Sequence, residues 1–123
     1  MRKLIIMVLV ISSSLYALDF GKTKQEIIEL LGEPTTVAGN IFVYTAEVMG
    51  IPTISYYVFD NDVLTAKLMD IPVIVVTRFI EQMNIMCGLP KIATEEGIMW
   101  MTTTMNYLLV ANNGVYRMMY TLN

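Results

Sequence analysis

Apolar residues recur at helical spacing in two stretches of the chain and at strand spacing through most of the rest. Ile27, Ile28, Leu30 and Leu31 share one face of a helix that opens at Thr23-Lys24-Gln25-Glu26. That opening is a capping box, in which the Thr23 hydroxyl and the Glu26 carboxylate each satisfy an otherwise orphaned backbone donor. Gly32 ends this helix and Pro34 forbids its continuation. A second helix is predicted from near Pro72 by Val73, Val76, Phe79, Ile80, Met83 and Cys87, with Thr77, Arg78, Glu81, Gln82 and Asn84 opposite, stopping at Gly88 before Pro90. Gly32 and Gly88 are both expected at positive φ, because each stands between an apolar helical face and a proline.

β-Branched and aromatic residues dominate elsewhere. They predict strands at 41–48, 54–59 and 63–69, and again at 98–105, 107–111 and 115–121. Met49-Gly50-Ile51-Pro52 and Asp60-Asn61-Asp62 separate the first three, and Asn113-Gly114 between apolar flanks is a tight-hairpin signal. The two halves line up: Leu31-Gly32-Glu33-Pro34 with Cys87-Gly88-Leu89-Pro90, Tyr44 with Trp100, and Asp60-Asn61-Asp62-Val63 with Asn112-Asn113-Gly114-Val115. The expected fold class is therefore α+β: two copies, at about 20–70 and 71–123, of a helix followed by a three-stranded antiparallel meander, with the helices packed on one face of the sheet.

The first residues change the picture. Arg2 and Lys3 precede a wholly apolar run at 4–11, followed by Ser12, Ser13, Ser14 and then Leu15-Tyr16-Ala17. This is the layout of a secretory signal peptide, expected over 1–17, and the run is well short of the roughly 20 residues that a permanent span needs. The expected product is a single α+β domain, 18–123, in the periplasm or secreted. Without Arg2 and Lys3, six basic residues face 11 acidic ones, a formal charge of −5. That balance argues against nucleic acid and anionic lipid as partners.

Candidate chemistry is sparse. The chain has no histidine, which removes the usual general base and the commonest transition-metal ligand. It has one cysteine, Cys87, so an intramolecular disulfide cannot form, and a small apolar role suits its flanks Ile85 and Met86. Phosphate-cradling glycine loops, paired-cysteine metal motifs and nucleophile elbows are absent. Glu95-Glu96 and Asp60 with Asp62 could supply an acid and a base, but they read as solvated turn residues. Of 11 methionines, seven lie from Met83 onward. Thioethers can bind Cu(I), with Met83 and Met86 or Met99 and Met101 as candidates, yet an adaptable apolar core or contact surface accounts for them at ordinary helix and strand spacing. No metal, cofactor or enzymatic activity is expected.

The segment from Phe20-Gly21-Lys22-Thr23 through Leu31-Gly32-Glu33-Pro34 to Tyr44 and Tyr57-Val58-Phe59-Asp60-Asn61 resembles the small outer-membrane lipoproteins of the SmpA/OmlA (BamE) type. Through its tandem arrangement it also resembles the β-lactamase-inhibitory-protein-like fold. The likeness covers about forty residues of the first copy and is fainter in the second. It departs from the lipoproteins where they carry a lipidated cysteine, since Leu18 and Asp19 stand there, and this puts tethering and barrel assembly in doubt. The resemblance implies a fold used for protein contacts, with no active site to transfer.

Two functions are therefore expected as alternatives. The first is an exported, non-enzymatic module that binds another envelope or extracellular protein through its sheet, as inhibitor, adaptor or assembly factor. The second is a carrier of a small apolar ligand in a Met-lined groove between helices and sheet. Alternation places Phe42, Tyr44, Leu64, Ala66, Leu68, Ile98, Trp100, Tyr116, Met118 and Tyr120 under the helices. It places Val43, Thr45, Glu47, Thr65, Lys67, Met99, Met101, Arg117 and Met119 on the other face. Met99, Met101, Arg117 and Met119 are the candidate partner-binding residues, unless the sheet folds over on itself and makes them core.

Overall fold

The structure, a computed structural model, describes residues 19–122. The expected signal peptide lies outside the described residues. Among those described, no helix is long and apolar enough to cross a membrane.

The expected architecture of two helix-plus-three-strand copies is corrected. The described chain forms one eight-stranded antiparallel sheet and only two short helices. The elements are α1 (Lys24–Leu31), β1 (Thr36–Ala38), β2 (Ile41–Val48), β3 (Ile51–Asp60), β4 (Val63–Ile71), a 3-10 turn (Val73–Val75), α2 (Val76–Cys87), β5 (Ile92–Ala93), β6 (Gly97–Met101), β7 (Met105–Asn112) and β8 (Val115–Leu122). Across the sheet they run β1-β2-β3-β4-β8-β7-β6-β5. Six strands were expected, and the two further ones are the short edges β1 and β5. Once a glycine and a proline have stopped each helix, the chain doubles back and pairs Ala38 with Ile41 and Ala93 with Ile98. β3 also begins earlier than predicted. Pro52 pairs only toward β2, opposite Glu47, in a stretch where β3 has no registered β4 partner and the missing N–H costs nothing.

Both helices lie on one face. Ile27 of α1 packs with Phe42, Tyr44, Phe59 and Leu64. Phe79 and Met83 of α2 pack with Val75, Trp100, Tyr107, Leu109 and Met118 in the larger cluster. Gly32 and Gly88 close their helices at φ 89° and 80°, as expected. Each helix end is also tied to the sheet: the Tyr44 hydroxyl donates to the Gly32 carbonyl at 2.9 Å, and Trp100 Nε1 donates to Asn84 Oδ1 at 2.9 Å.

A bulge in β4 overturns part of the predicted facing. The β3–β4 register shifts between Val58 and Phe59, so that Ala66 pairs with Val58 while Leu64 pairs with Phe59, and Thr65 is the extra residue. Beyond it every side chain of β4 changes face. Lys67 turns under the helices and is 6% exposed, while Ala66 and Leu68 turn away, the reverse of the alternation reading. The cause lies in the backbone. β8 pairs with β4 only over residues 67–71, and residues 21–23 take the place beside β4 that β8 leaves. There Gly21 donates to the Leu64 carbonyl at 2.9 Å, and Leu64 donates to the Lys22 carbonyl at 2.8 Å.

Candidate functional site

No described element covers the face of the sheet opposite the helices. One row of cross-strand neighbours runs Val43, Tyr56, Leu68, Met119, Leu108, Met99, Ile92 from β2 to β5, every member apolar or aromatic. Beside it Asp70, Arg117, Val110 and Gly97 form a second row. Gly97 leaves a gap there, and a shallow depression of about 310 Å³ opens over Gly97, Met99, Leu108 and Val110, rimmed by Ile92 and Thr94. A side chain there would also be crowded, since an added Cβ would stand 3.0 Å from the Leu109 carbonyl oxygen.

Met99, Met101, Arg117 and Met119 all lie on this face, so a sheet folded over on itself is not what the described residues form. They are not one cluster. Met99 and Met119 share the central row, Arg117 stands in the row beside the depression, and Met101, 36% exposed, sits at the other end of β6. Arg117 is held in place: its Nε donates to Asp70 Oδ1 at 2.7 Å and its guanidinium stacks 4.8 Å from the centre of the Tyr56 ring. The Tyr56 hydroxyl donates to the other Asp70 oxygen at 3.1 Å. That carboxylate holds the arginine protonated above its ordinary range, while burial, then the Asp70 charge, pushes the Tyr56 phenol up. The charges of Asp70 and Arg117 cancel locally, and the exposed Glu96 adds a carboxylate at the depression.

The covered face has its own concavity. Between α1 and α2 the sheet floors a cavity of about 420 Å³, walled by Phe79, Met83, Met86 and Cys87 of α2 and by Leu31 of α1. Its floor includes Tyr57, Lys67 and Met69. Lys67 Nζ donates to Asp19 Oδ2 at 2.8 Å and lies 5.4 and 5.5 Å from the ring centres of Phe20 and Tyr57. Burial drives the Lys67 ammonium below its ordinary pKa, and Asp19 opposes that drop. Burial also raises the Cys87 thiol, which keeps it protonated and poorly nucleophilic.

The other candidates do not converge on chemistry. Among the described residues no three His, Cys, Asp or Glu side chains stand together as metal ligands. Met83 and Met86 border the covered cavity while Met99 and Met101 lie on the opposite face, so the two methionine pairs cannot share one ion. Glu95, Glu96, Asp60 and Asp62 are all exposed. Sequence reasoning missed Lys67 and the depression at Gly97, whereas the helix-side cavity lies where a Met-lined groove between helices and sheet was expected. A lone glycine at the start of a strand pattern was the available signal for the second of these. Comparison with known proteins yields no matching family model, no matching curated protein and no matching solved structure, so the likeness to the BamE and inhibitory-protein folds rests on the quoted residues alone.

Proposed function

We propose that this chain is an exported, non-enzymatic protein-binding module of the periplasm or extracellular space, acting as an inhibitor, adaptor or envelope assembly factor. The observation that carries this reading is the uncovered sheet face, whose apolar central row runs into a depression at Gly97. A sheet face that met only water would alternate toward polar residues, and contiguous apolar area of this kind marks interaction surfaces. The Gly97 depression suits an inserted apolar or aromatic anchor, the element that usually carries most of the binding energy. Asp70 and Arg117 neutralise each other, so specificity would come from shape more than from charge.

The test is partner capture from envelope extract by the 18–123 domain, repeated with Met101→Glu and Met119→Glu together. Loss of a reproducibly captured protein with an unchanged melting temperature supports the reading. Capture that survives both charges removes this face as the site, and absence of any saturable partner from every extract removes the function.

A further inference from the structure

Lys67 is the one charged residue buried in the described chain, and the bulge at Thr65 aims it into a cavity whose lining is mostly apolar, with four methionines and five aromatic rings among it. Burying a cation costs several kcal/mol unless an anion meets it. A lysine used only for packing would be served as well by methionine, which the neighbouring Met69 and Met83 already are. The cavity, at about 420 Å³, lies within the roughly 300–1,000 Å³ range of sites that bury small organic ligands. Its lining has the composition of such sites: a large apolar wall with a few polar groups, Lys67 and Asp19 at one place and Glu47 of β2 at another.

We propose that this cavity binds an aliphatic monocarboxylic acid, its chain along the Met83, Met86 and Phe79 wall and its carboxylate on Lys67 Nζ. This site is independent of the partner face on the other side of the sheet. The acid's carboxylate takes the place of Asp19 on the ammonium, so Lys67 exchanges one anion for another and is never left unpaired. Asp19 is the party that yields in that exchange, since it has the more exposed side chain, 19% against 7%, and stands outside the sheet, whereas Lys67 is on β4. A cationic head group would meet Lys67 with like charge. An alcohol could accept a hydrogen bond from the ammonium but would lack the ion-pair attraction that a carboxylate adds to it.

The experiment is equilibrium binding to the 18–123 domain of dodecanoate, dodecanol and dodecyltrimethylammonium, three probes with one chain and different heads. Dodecanoate should bind at one per protein and about tenfold or more tighter than dodecanol, the order of difference that pairing two charges adds to a single hydrogen bond, with the ammonium weakest. Lys67→Met should bring dodecanoate down to the dodecanol level and leave dodecanol within about twofold. Asp19→Asn, which removes the competing anion, should tighten dodecanoate. Equal affinity for all three heads, absence of saturable dodecanoate binding, or full dodecanoate affinity in a folded Lys67→Met chain overturns the proposal. If Lys67→Met fails to fold, head-group selectivity in the unmodified protein and the direction of the Asp19→Asn effect still decide it: a weaker or unchanged affinity in Asp19→Asn counts against.

Discussion

β4 and β8 lie side by side at the centre of the sheet, pairing Lys67 with Tyr120 and Ile71 with Tyr116, yet only β8 obeys strict alternation. In β8, Tyr116, Met118 and Tyr120 face the helices and Arg117 and Met119 face away, as period two requires. In β4 that rule holds up to Leu64 and then inverts, because Thr65 is an extra residue. The difference teaches that a strand's facing is set by its neighbours' backbone as much as by its own pattern. β8 is flanked by β7 along its whole length and by β4 over 116–120. β4 is flanked at one end by residues 21–23 instead, and the hydrogen bonds they make to Leu64 fix where the extra residue sits. The functional consequence is an ion pair on each face of β4: Lys67–Asp19 beneath the helices and Asp70–Arg117 on the open side.

Truncating Ile71 should break this arrangement with the largest effect. Past the bulge Ile71 lies under the helices, 3% exposed, while Leu68 turns to the open face, the reverse of what unbroken alternation from Leu64 would give. Removing a large aliphatic side chain from a core costs about 2–5 kcal/mol. Urea unfolding should show a loss in that range for Ile71→Ala and a clearly smaller one for Leu68→Ala. Equal losses would mean that the bulge does not set the facing.

The two ion pairs should respond unequally. Asp19→Ala leaves the Lys67 ammonium buried without its carboxylate and should cost about 3 kcal/mol. Adding Lys67→Met to that chain should restore stability to within about 1 kcal/mol of the starting protein, because an apolar side chain of similar length needs no partner. Arg117→Ala, on the open face, should cost under about 1 kcal/mol, since its pair with Asp70 is solvated. Chemical denaturation of the four chains measures all three statements. Equal losses for Asp19→Ala and Arg117→Ala would erase the distinction between the faces.

What was legible in the sequence follows the same division. β2, β7 and β8 could be read because alternation runs through them unbroken, and the helix ends because Gly32 and Gly88 have one physical use there. β1 and β5, three and two residues long, carry no period to read. The residues around Pro52 read as loop because proline suits a strand only where one side needs no donor. Nothing in Val63-Leu64-Thr65-Ala66-Lys67 marks which residue is extra, so Lys67 was placed on the wrong face, and with it the polar end of the cavity was lost. Met99, Met101, Arg117 and Met119 lie on the face that alternation assigned them, because β6 and β8 contain no bulge.

The smallest predicted effect tests the strip that pins β4. Thr23 does two things: it bridges to Val63 beside the bulge, and it caps α1, accepting from the Glu26 amide at 3.2 Å while its own amide donates to the Glu26 carboxylate at 2.9 Å. α2 has no such device, since Val75 stands at its cap without a side-chain bond. The hydrogen bond from the Thr23 backbone, then that from its side chain, holds the Glu26 carboxyl below its ordinary 4.5. In the unfolded chain Glu26 takes up its proton first as pH falls, so this contribution is complete above 4.5 and is lost as pH drops through the lower folded value. Glu26→Gln should flatten that part of the acid limb. It should also raise hydrogen exchange at the Leu64 amide, whose acceptor is the carbonyl of Lys22, next to Thr23. The amides of β8 paired to β7 should be unmoved. Faster exchange across both strands would mean that the capping box stabilises the whole sheet, whereas a change confined to the start of β4 ties the bulge to the segment before α1.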